Sequence, residues 1–309
     1  MNLDILERYR DLVDDYDAFR MAHEKPLPTV VRANILRVSA KELAELLRQE
    51  GLDGTPLAWN PEALRLAPGS SPGKSLLVPM GLFHIQEEVS LLPVVLLDPQ
   101  PGETLLDLCS APGNKTVQAA LRMSDQGSIL ANDISRTRLG LVVRAAERLG
   151  VTICATIAGD GANLPAGIGP FDRVLADVPC SCEGTARKNP EILRRAKMVR
   201  PIRSQVALLH KAIQRCRPGG RIVYSTCTYA PEENELVVDT VLRATANDSD
   251  QPRYDLDVLP AGMDGLRTVP GLTRWQDREL DPRLANAMRV YPHHNDTGGF
   301  FVAVLEKRG

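Results

Sequence analysis

The chain has 309 residues, a formal net charge of −2 and an apolar content of 43%, values that are ordinary for a globular protein with room for one large domain and a small one. Its N-terminus lacks the basic-then-apolar order of a signal peptide, and no apolar stretch reaches the roughly 20 residues that span a bilayer. The near-neutral charge gives no overall sign of a nucleic-acid partner, and we expect a cytoplasmic protein without a membrane partner.

The first 75 residues predict a small α/β subdomain. Residues 1–20 carry apolar side chains at helical spacing, which predicts one amphipathic helix. The next predicted elements are a strand over 30–38, a helix over 40–50 and short strands over 57–59 and 63–66. A run of turn-forming residues, 68–73, then marks a boundary. We therefore predict two domains, over residues 1–75 and 76–309.

Strands and helices alternate after this boundary. The predicted strands cover 104–108, 128–132, 151–158, 173–176, 221–224 and 300–305. The predicted helices cover 116–123, 136–149, 198–215 and 231–243. This alternation is typical of a doubly wound, mostly parallel sheet. The predicted fold class is therefore α/β, with a Rossmann-like domain behind the small subdomain.

The first strand of this series runs into a tight loop at a helix N-terminus. The loop consists of Cys109, Ser110, Ala111, Pro112, Gly113, Asn114 and Lys115. Such a turn offers free N–H groups and a positive dipole to a polar ligand, yet it is neither a Gly-x-Gly-x-x-Gly nor a Walker motif. We expect Gly113 to permit close ligand approach. Lys115 supplies a cation for a carboxylate, which S-adenosylmethionine carries and pyrophosphate-bridged cofactors lack.

Acidic residues end the next strands. Asp133 comes about twenty residues after Gly113, where an acidic residue takes the ribose hydroxyls of an adenosine cofactor. Asp160 ends the third strand and is expected to reach the adenine amine. A single Asp is more often a helix cap or turn former. Acids at successive strand ends after such a loop nevertheless favour a cofactor pocket.

Two cysteines each follow an apolar strand. Cys180 comes just after the strand over 173–176, and Cys227 just after the strand over 221–224. The carboxyl ends of parallel strands form the crevice where ligands bind. A single cysteine is more often an inert buried thiol, but two thiols delivered to one crevice indicate covalent chemistry on a bound substrate.

Two further clusters carry weaker signals. A zinc site from Cys180, Cys182, His293 and His294 would rest on a lone Cys-x-Cys pair, so we expect no metal. Residues 187–203 contain a basic run opposed by one acid: Arg187, Lys188, Arg194, Arg195, Lys197, Arg200 and Arg203. Such a run is usually a solvated helix face. Its position after the Cys180 loop also suits it to hold a phosphate backbone.

These motifs resemble the RsmB/Sun (NSUN) family of S-adenosylmethionine-dependent RNA 5-methylcytosine methyltransferases. The matching stretches are 106–116, 131–134, 177–191, 224–228, 231–235 and 289–301. The resemblance implies a Rossmann-like methyltransferase domain behind an RNA-recognition-like subdomain. The chain departs from the family pattern at Asn114 and Cys182, where glycine is frequent, and at Val178, where proline is frequent. Because Asn tolerates left-handed backbone, we expect the cofactor loop to survive.

The resemblance also implies roles for individual residues. Cys227 would be the nucleophile, Cys180 would assist product release, Asp177 would bind the cytosine edge and Lys188 would position the substrate. The implied S-adenosylmethionine pocket consists of the loop 109–115 with Asp133, Asp160 and Asp177. Because only a thiolate attacks, we expect a lowered pKa for Cys227. The target base would leave its stack to reach this site.

Two other functions remain as alternatives. The first is a non-catalytic RNA-binding or ribosome-assembly factor with a methyltransferase fold, against which the intact Cys180, Cys227 and Lys115 argue. The second is a nicotinamide-dependent oxidoreductase, which the missing glycine fingerprint disfavours. Among RNA substrates the stretches 187–189, 270–275 and 296–299 favour tRNA over rRNA. A monomer is compatible with the sequence.

Overall fold

The computed structural model describes residues 4–194, 200–247 and 255–308 and contains a small antiparallel sheet and a large mixed sheet. The small sheet has the strand order β2-β3-β1-β4. Its strands are β1 (Val30–Ala33), β2 (Gly54–Pro56), β3 (Ala63–Leu66) and β4 (Phe83–Ile85), accompanied by helices α1 (Tyr16–His23) and α2 (Ala40–Gln49). Strand β4 of this sheet lies beyond residue 75, within the second predicted domain. The domain boundary at residue 75 stays a prediction.

The single helix predicted over residues 1–20 is wrong. A 3-10 helix over Asp4–Tyr9 is separated from α1 by turns. Asp15 causes the break, because its side chain accepts the N–H of Ala18 at 2.9 Å and so begins a new helix. The strand predicted over 30–38 ends at Ala33, and the strand predicted over 57–59 is absent there, since β2 ends at Pro56.

The large sheet confirms the predicted doubly wound α/β fold. Its parallel part comprises β5 (Thr104–Asp107), β6 (Ser128–Asp133), β7 (Cys154–Ala158), β8 (Phe171–Asp177) and β9 (Cys216–Thr226). Antiparallel strands extend it beyond β9: β10 (Leu256–Leu259), β11 (Val269–Pro270), β14 (Met288–Val290) and β15 (Phe300–Lys307). A separate hairpin pairs β12 (Arg274–Trp275) with β13 (Arg278–Glu279).

Helices cover both faces of this sheet. They are α3 (Leu92–Leu97), α4 (Asn114–Arg122), α5 (Arg136–Leu149), α6 (Ile202–Arg215), α7 (Glu235–Asn247) and the short α8 (Pro292–Asn295). Leu105 packs on the face that carries α3 and α4, and its neighbour Leu106 packs on the face that carries α6 and α7. This alternation is the period-two geometry of a strand buried on both sides.

The helix predicted over 136–149 is confirmed, since Ser135 caps the start of α5 and left-handed Gly150 ends it. The helices predicted from 198 and 231 begin instead at Ile202 and Glu235, and Met198 lies outside the described residues. Within the described parts of the chain, no helix has both the length and the apolar character needed to cross a bilayer.

In the strand order β9-β8-β5-β6-β7 all strands are parallel, but successive strands are added outward from β5 on one side as β6 and β7 and on the other side as β8 and β9, so the strand order reverses between β5 and β8. Loops that leave these two strands diverge toward opposite faces and leave a crevice, which is where ligands bind in open α/β sheets. The small sheet packs beside this crevice. Asn34 donates hydrogen bonds to the carbonyls of Gly81 and Leu149, both at 2.8 Å, and Gln86 bonds Gln118 at 2.9 Å.

A buried ion pair joins β14 of the large sheet to the start of α7. Arg289 donates from Nε to Glu235 at 2.6 Å and from Nη2 to the other oxygen of that carboxylate. Its Nη1 donates to the carbonyl of Tyr229 at 2.9 Å. Both charged side chains are almost completely buried. Removing one partner would leave an uncompensated buried charge.

We therefore expect Arg289→Met to lower the free energy of unfolding by about 3–5 kcal/mol, because Glu235 then stays buried without its partner. The measurement is denaturant unfolding followed by circular dichroism. The double variant Arg289→Met/Glu235→Leu removes both charges and should recover most of the loss. A single variant as stable as the wild-type protein would contradict this assignment.

Candidate active site

A cavity of about 570 Å³ lies at the strand-order reversal. Loops that follow β5, β6, β8 and β9 contribute to its lining. The predicted site residues among those that line it are Cys109, Ser110, Ala111, Pro112, Asn114, Lys115, Asp133, Asp160, Asp177, Cys180, Lys188 and Cys227. The structure thus brings the predicted cofactor loop and the two predicted reactive cysteines into one cavity.

Gly113 has a packing role that sequence reasoning missed. Its backbone is left-handed, with φ at +106°, and a Cβ at this position would lie 2.9 Å from Cα of Val142 in α5. Gly113 is therefore required for the loop to pack against α5, and the ligand approach expected there stays a prediction. We expected Asn114 to tolerate a left-handed backbone conformation in the loop. It is instead the first residue of α4, and its side chain forms a hydrogen bond with His84 at 2.9 Å.

Unpartnered polar atoms make the cavity suitable for a polar cofactor. Ser110 Oγ and one carboxylate oxygen of Asp107 are buried without a hydrogen-bond partner among the described residues. Both residues line the cavity. Burial raises the pKa of Asp107 to about 7, although its other oxygen accepts a hydrogen bond from Thr116 at 2.7 Å. Sequence reasoning missed Asp107, although it directly precedes the loop at the end of β5.

The two acids predicted to bind adenosine have protein partners as well. Asp133 accepts the N–H of Ser135 at 2.8 Å, and its other oxygen lies 3.3 Å from the backbone nitrogen of Ala111. Asp160 accepts the N–H of Ala162 at 3.0 Å and so caps a short 3-10 helix. Both carboxylates line the cavity while they also fix the loops that carry them.

Asp177 lies at the junction between the cofactor loop and the cysteines. Its carboxylate accepts hydrogen bonds from Lys115 Nζ and from Ser225 Oγ, both at 2.7 Å. Burial lowers the pKa of Lys115, but the charge of Asp177 and its hydrogen bond, together with the charges of Cys227 and Asp107, outweigh burial and raise that pKa. The cation expected to meet a cofactor carboxylate therefore already pairs with Asp177, and it also lies 5.6 Å from the ring centroid of Phe300.

The two predicted reactive thiols are neighbours. Cys180 Sγ lies 3.4 Å from Cys227 Sγ, and Cys182 Sγ lies 3.9 Å from Cys180 Sγ. The hydrogen bond from Cys180 lowers the pKa of Cys227, but the hydrogen bond with Cys182 and burial outweigh it and hold that pKa well above its usual range. The lowered pKa expected for Cys227 is therefore not found in this structure.

Buried carboxylates hold the Cys180 loop in place. Glu233 accepts the N–H of Ser181 at 2.9 Å, and Gln205 donates both to Glu233 at 2.9 Å and to the carbonyl of Pro179 at 2.8 Å. The N–H of Gly184 donates to the carbonyl of Cys227 at 2.9 Å, which ties the two cysteine loops together. Sequence reasoning missed Glu233 as a support, although it belongs to the matched run 231–235.

The predicted basic run does not form one exposed patch. Arg187 is buried and donates to the carbonyls of Lys25, Pro26 and Thr297. Arg200 pairs with buried Glu183 at 2.9 Å. Both guanidinium groups therefore stabilise the fold, whereas Lys188 is exposed and lines the cavity. Arg195 and Lys197 lie outside the described residues, as does the side chain of Arg194.

His293 and His294 do not join Cys180 and Cys182. Both imidazoles contact Asp14, at 2.9 and 2.8 Å, and neither lines the cavity. The hydrogen bond from His293, and to a smaller extent that from His294, holds the pKa of Asp14 well below its usual range. The zinc site considered from the four residues is therefore not assembled, and the histidines anchor the N-terminal segment instead.

Comparison with known proteins identifies the family of this fold and site. A profile described as 16S rRNA methyltransferase RsmB/F matches residues 94–306. The chain is 35% identical, over 99% of its length and 96% of the relative's, to a tRNA (cytosine(49)-C(5))-methyltransferase of Pyrococcus abyssi. It is 37% identical over 94% of its length to a 28S rRNA (cytosine-C(5))-methyltransferase of Mus musculus, of which it spans only 36%.

The fold agrees with a solved relative. A crystal structure of a methyltransferase homolog from Pyrococcus horikoshii superimposes with a TM-score of 0.81 at 32% identity, covering 96% of this chain and 91% of that one. The agreement extends over both the small sheet and the large one, because nearly the whole chain is covered.

The raised pKa of Cys227 predicts slow alkylation at neutral pH in the protein without ligands. Since only the thiolate reacts, the rate should rise about tenfold per pH unit between pH 6.5 and 8.5 without reaching a plateau. Peptide mass spectrometry after timed iodoacetamide treatment would follow Cys227, with the exposed thiol of free glutathione as a reference. A plateau below pH 8 would contradict the assignment.

Proposed function

This chain belongs to the RsmB/F family of S-adenosylmethionine-dependent RNA cytosine-5 methyltransferases, and we propose that it methylates tRNA through a covalent adduct of Cys227. The observation that carries the proposal is the 3.4 Å approach of the Cys180 and Cys227 sulfurs beside Asp177, in the cavity that also contains the cofactor loop. The catalytic interpretation is favoured over the assembly-factor alternative, because a non-catalytic protein has no physical need for this arrangement.

The nucleophile is assigned to Cys227. Carbon 5 of cytosine is too weak a nucleophile to attack a methyl sulfonium directly. Addition of the Cys227 thiolate to carbon 6 breaks the aromatic system and makes carbon 5 enamine-like, which divides one difficult step into two. Because the pKa of Cys227 is raised in the free protein, its proton must leave as substrate binds, and displacement of Cys182 from the hydrogen bond would lower that pKa.

Asp177 is assigned to the cytosine edge. The hydrogen bonds from Lys115 and Ser225 fix its carboxylate in one orientation. A carboxylate has about four lone-pair positions, so Asp177 retains acceptor capacity for the exocyclic amine of cytosine. Lys188, exposed at the cavity rim, is assigned to hold the flipped nucleotide.

Cys180 is assigned to product release. After methyl transfer, the proton on carbon 5 must leave, its electron pair forms the C5–C6 double bond, and the C6–S bond to Cys227 breaks. The Cys180 sulfur lies next to that bond, which places it to support removal of the proton. In this assignment Cys227 acts first, by adding to the base, and the neighbouring Cys180 acts afterwards, in the release step.

The cofactor pocket is assigned to the loop 109–115 with Asp133, Asp160 and Asp177. When bound, S-adenosylmethionine supplies an electrophilic methyl group on a sulfonium. The unpartnered oxygens of Ser110 and Asp107 are suited to its polar groups, and Asp133 to its ribose hydroxyls. Gly113 supports the pocket indirectly, through the packing of the loop on α5.

The choice of tRNA is supported by the Pyrococcus abyssi tRNA enzyme, to which the chain is 35% identical over 96% of that relative's length. None of the six cysteines forms a disulfide, which suits the proposed cytoplasmic location because thiols stay reduced there. We propose that the monomer is the active unit.

Methylation of separate RNA pools tests the proposal. Unmodified total tRNA and rRNA are incubated with tritiated S-adenosylmethionine and wild-type, Cys227→Ala or Cys154→Ala protein. We expect 5-methylcytosine in tRNA, a loss of at least about a thousandfold with Cys227→Ala, and little change with Cys154→Ala, which removes a thiol outside the cavity. Label confined to rRNA would contradict the tRNA assignment, and label retained by Cys227→Ala would contradict the mechanism.

The release role has its own readout. We expect Cys180→Ala to accumulate a protein–RNA adduct that survives denaturation, because Cys227 still adds to the base but elimination is slow. Gel electrophoresis of the denatured reaction measures the adduct. Normal turnover by Cys180→Ala without any adduct would remove Cys180 from the mechanism while leaving Cys227 in place.

A further inference from the structure

Three thiols converge in the cavity from two loops. Cys180 Sγ lies 3.4 Å from Cys227 Sγ and 3.9 Å from Cys182 Sγ, and all three sulfurs lie within 4.8 Å of one another. Each of these residues is partly exposed and lines the cavity. A solute that enters the cavity therefore meets three sulfur atoms at once.

The sulfur separations match one face of a metal–sulfur tetrahedron. Zn–S bonds of about 2.3 Å in tetrahedral geometry place neighbouring sulfurs about 3.8 Å apart, and the observed distances of 3.4 and 3.9 Å lie on either side of that value. We propose that Cys180, Cys182 and Cys227 together bind a thiophilic divalent ion of the zinc class, with the fourth ligand position open to the cavity.

The backbone of Cys182 supplies a second observation. Its φ is +62°, in the left-handed region that non-glycine residues rarely adopt. Strained residues of this kind persist where the surrounding structure or the function requires them. In this conformation Cys182 brings its sulfur to Cys180 and donates a hydrogen bond to the Cys180 carbonyl at 3.2 Å. The proposed site gives the side chain at this position a role that glycine could not fulfil.

The charges around the thiols are compatible with a bound ion. Three thiols that bind one divalent ion release three protons to solvent, and the resulting centre has a net charge of −1. Lys115 lies beside Asp177 and its charge interacts with Cys227, so a cation is close to that negative centre. Coordination deprotonates thiols outright, which overcomes the protonated state that the free protein favours.

A second cluster of potential metal ligands is a weaker candidate for a metal site. Asp14, His293 and His294 also place ligand atoms within 4.8 Å of one another, but Arg267 already pairs with Asp14 at 2.7 Å. A fixed cation on the carboxylate opposes the approach of a metal ion. The thiol cluster, whose sulfurs face the cavity, is therefore the site that we assign.

An ion in the thiol cluster would block both cysteines that the proposed reaction uses. This consequence rests on the proposed function, whereas binding itself does not. The binding experiment titrates Cd²⁺ into reduced, metal-free full-length protein and follows the ultraviolet thiolate-to-metal absorption. We expect one equivalent to bind to the wild type and to Cys154→Ala. In Cys182→Gly and Cys182→Ser the apparent affinity should fall at least about tenfold, because one of three ligands is lost.

Cadmium should also displace zinc from zinc-loaded protein and produce the same absorption, because the softer ion binds thiolates more tightly. The affinity of each variant for S-adenosylmethionine is measured as a check of its folding. The cadmium affinity is then compared with the wild type in the Cys182 variant that still binds S-adenosylmethionine normally. Absence of a thiolate band in the wild type would overturn the proposal, and so would an unchanged affinity in that variant. The band does not depend on methyl transfer, so failure of the proposed function would leave this result unaffected.

Discussion

The ion pair between Lys115 and Asp177 connects the two sides of the cavity at the point where the strand order reverses. Lys115 lies in the first turn of α4, directly after the loop that follows β5, and Asp177 ends β8, the strand on the other side of the reversal. Ser225 of β9 donates to the same carboxylate. The proposed cofactor loop, the acid that we propose binds cytosine and the strand that leads to Cys227 are therefore fixed relative to one another by hydrogen bonds to one carboxylate, which is the preorganisation that a two-substrate transfer requires.

A second network holds the cysteine loops from behind. Glu183 is completely buried and accepts hydrogen bonds from Tyr9, Arg200 and Thr228. Since Tyr9 belongs to the N-terminal 3-10 helix, the first residues of the chain contribute directly to the position of the loop that follows Cys180. Buried carboxylates are costly unless they are fully paired, so this network specifies one arrangement of the two thiols as well as stabilising it.

The sequence was sufficient for features that depend on local patterns. Apolar runs predicted the parallel strands, and the pattern over 136–149 predicted α5 correctly, which Ser135 and Gly150 cap in the structure. Features that depend on distant contacts were not predictable. The role of Gly113 is set by Val142 on another element, Arg187 is buried by carbonyls from both ends of the chain, and the approach of Cys182 to Cys180 depends on a left-handed residue that no pattern indicated.

The central claim is that Cys227, and not Cys180, adds to the target cytosine. The most direct measurement uses tRNA that contains 5-fluorocytidine, because fluorine on carbon 5 cannot leave as a proton and elimination of the cysteine is blocked. The wild-type protein, S-adenosylmethionine and this RNA are incubated, digested and analysed by peptide mass spectrometry. The account predicts a methylated fluorocytidine attached to the peptide that contains Cys227. Attachment to the peptide that contains Cys180, or methylation without any adduct, would contradict it.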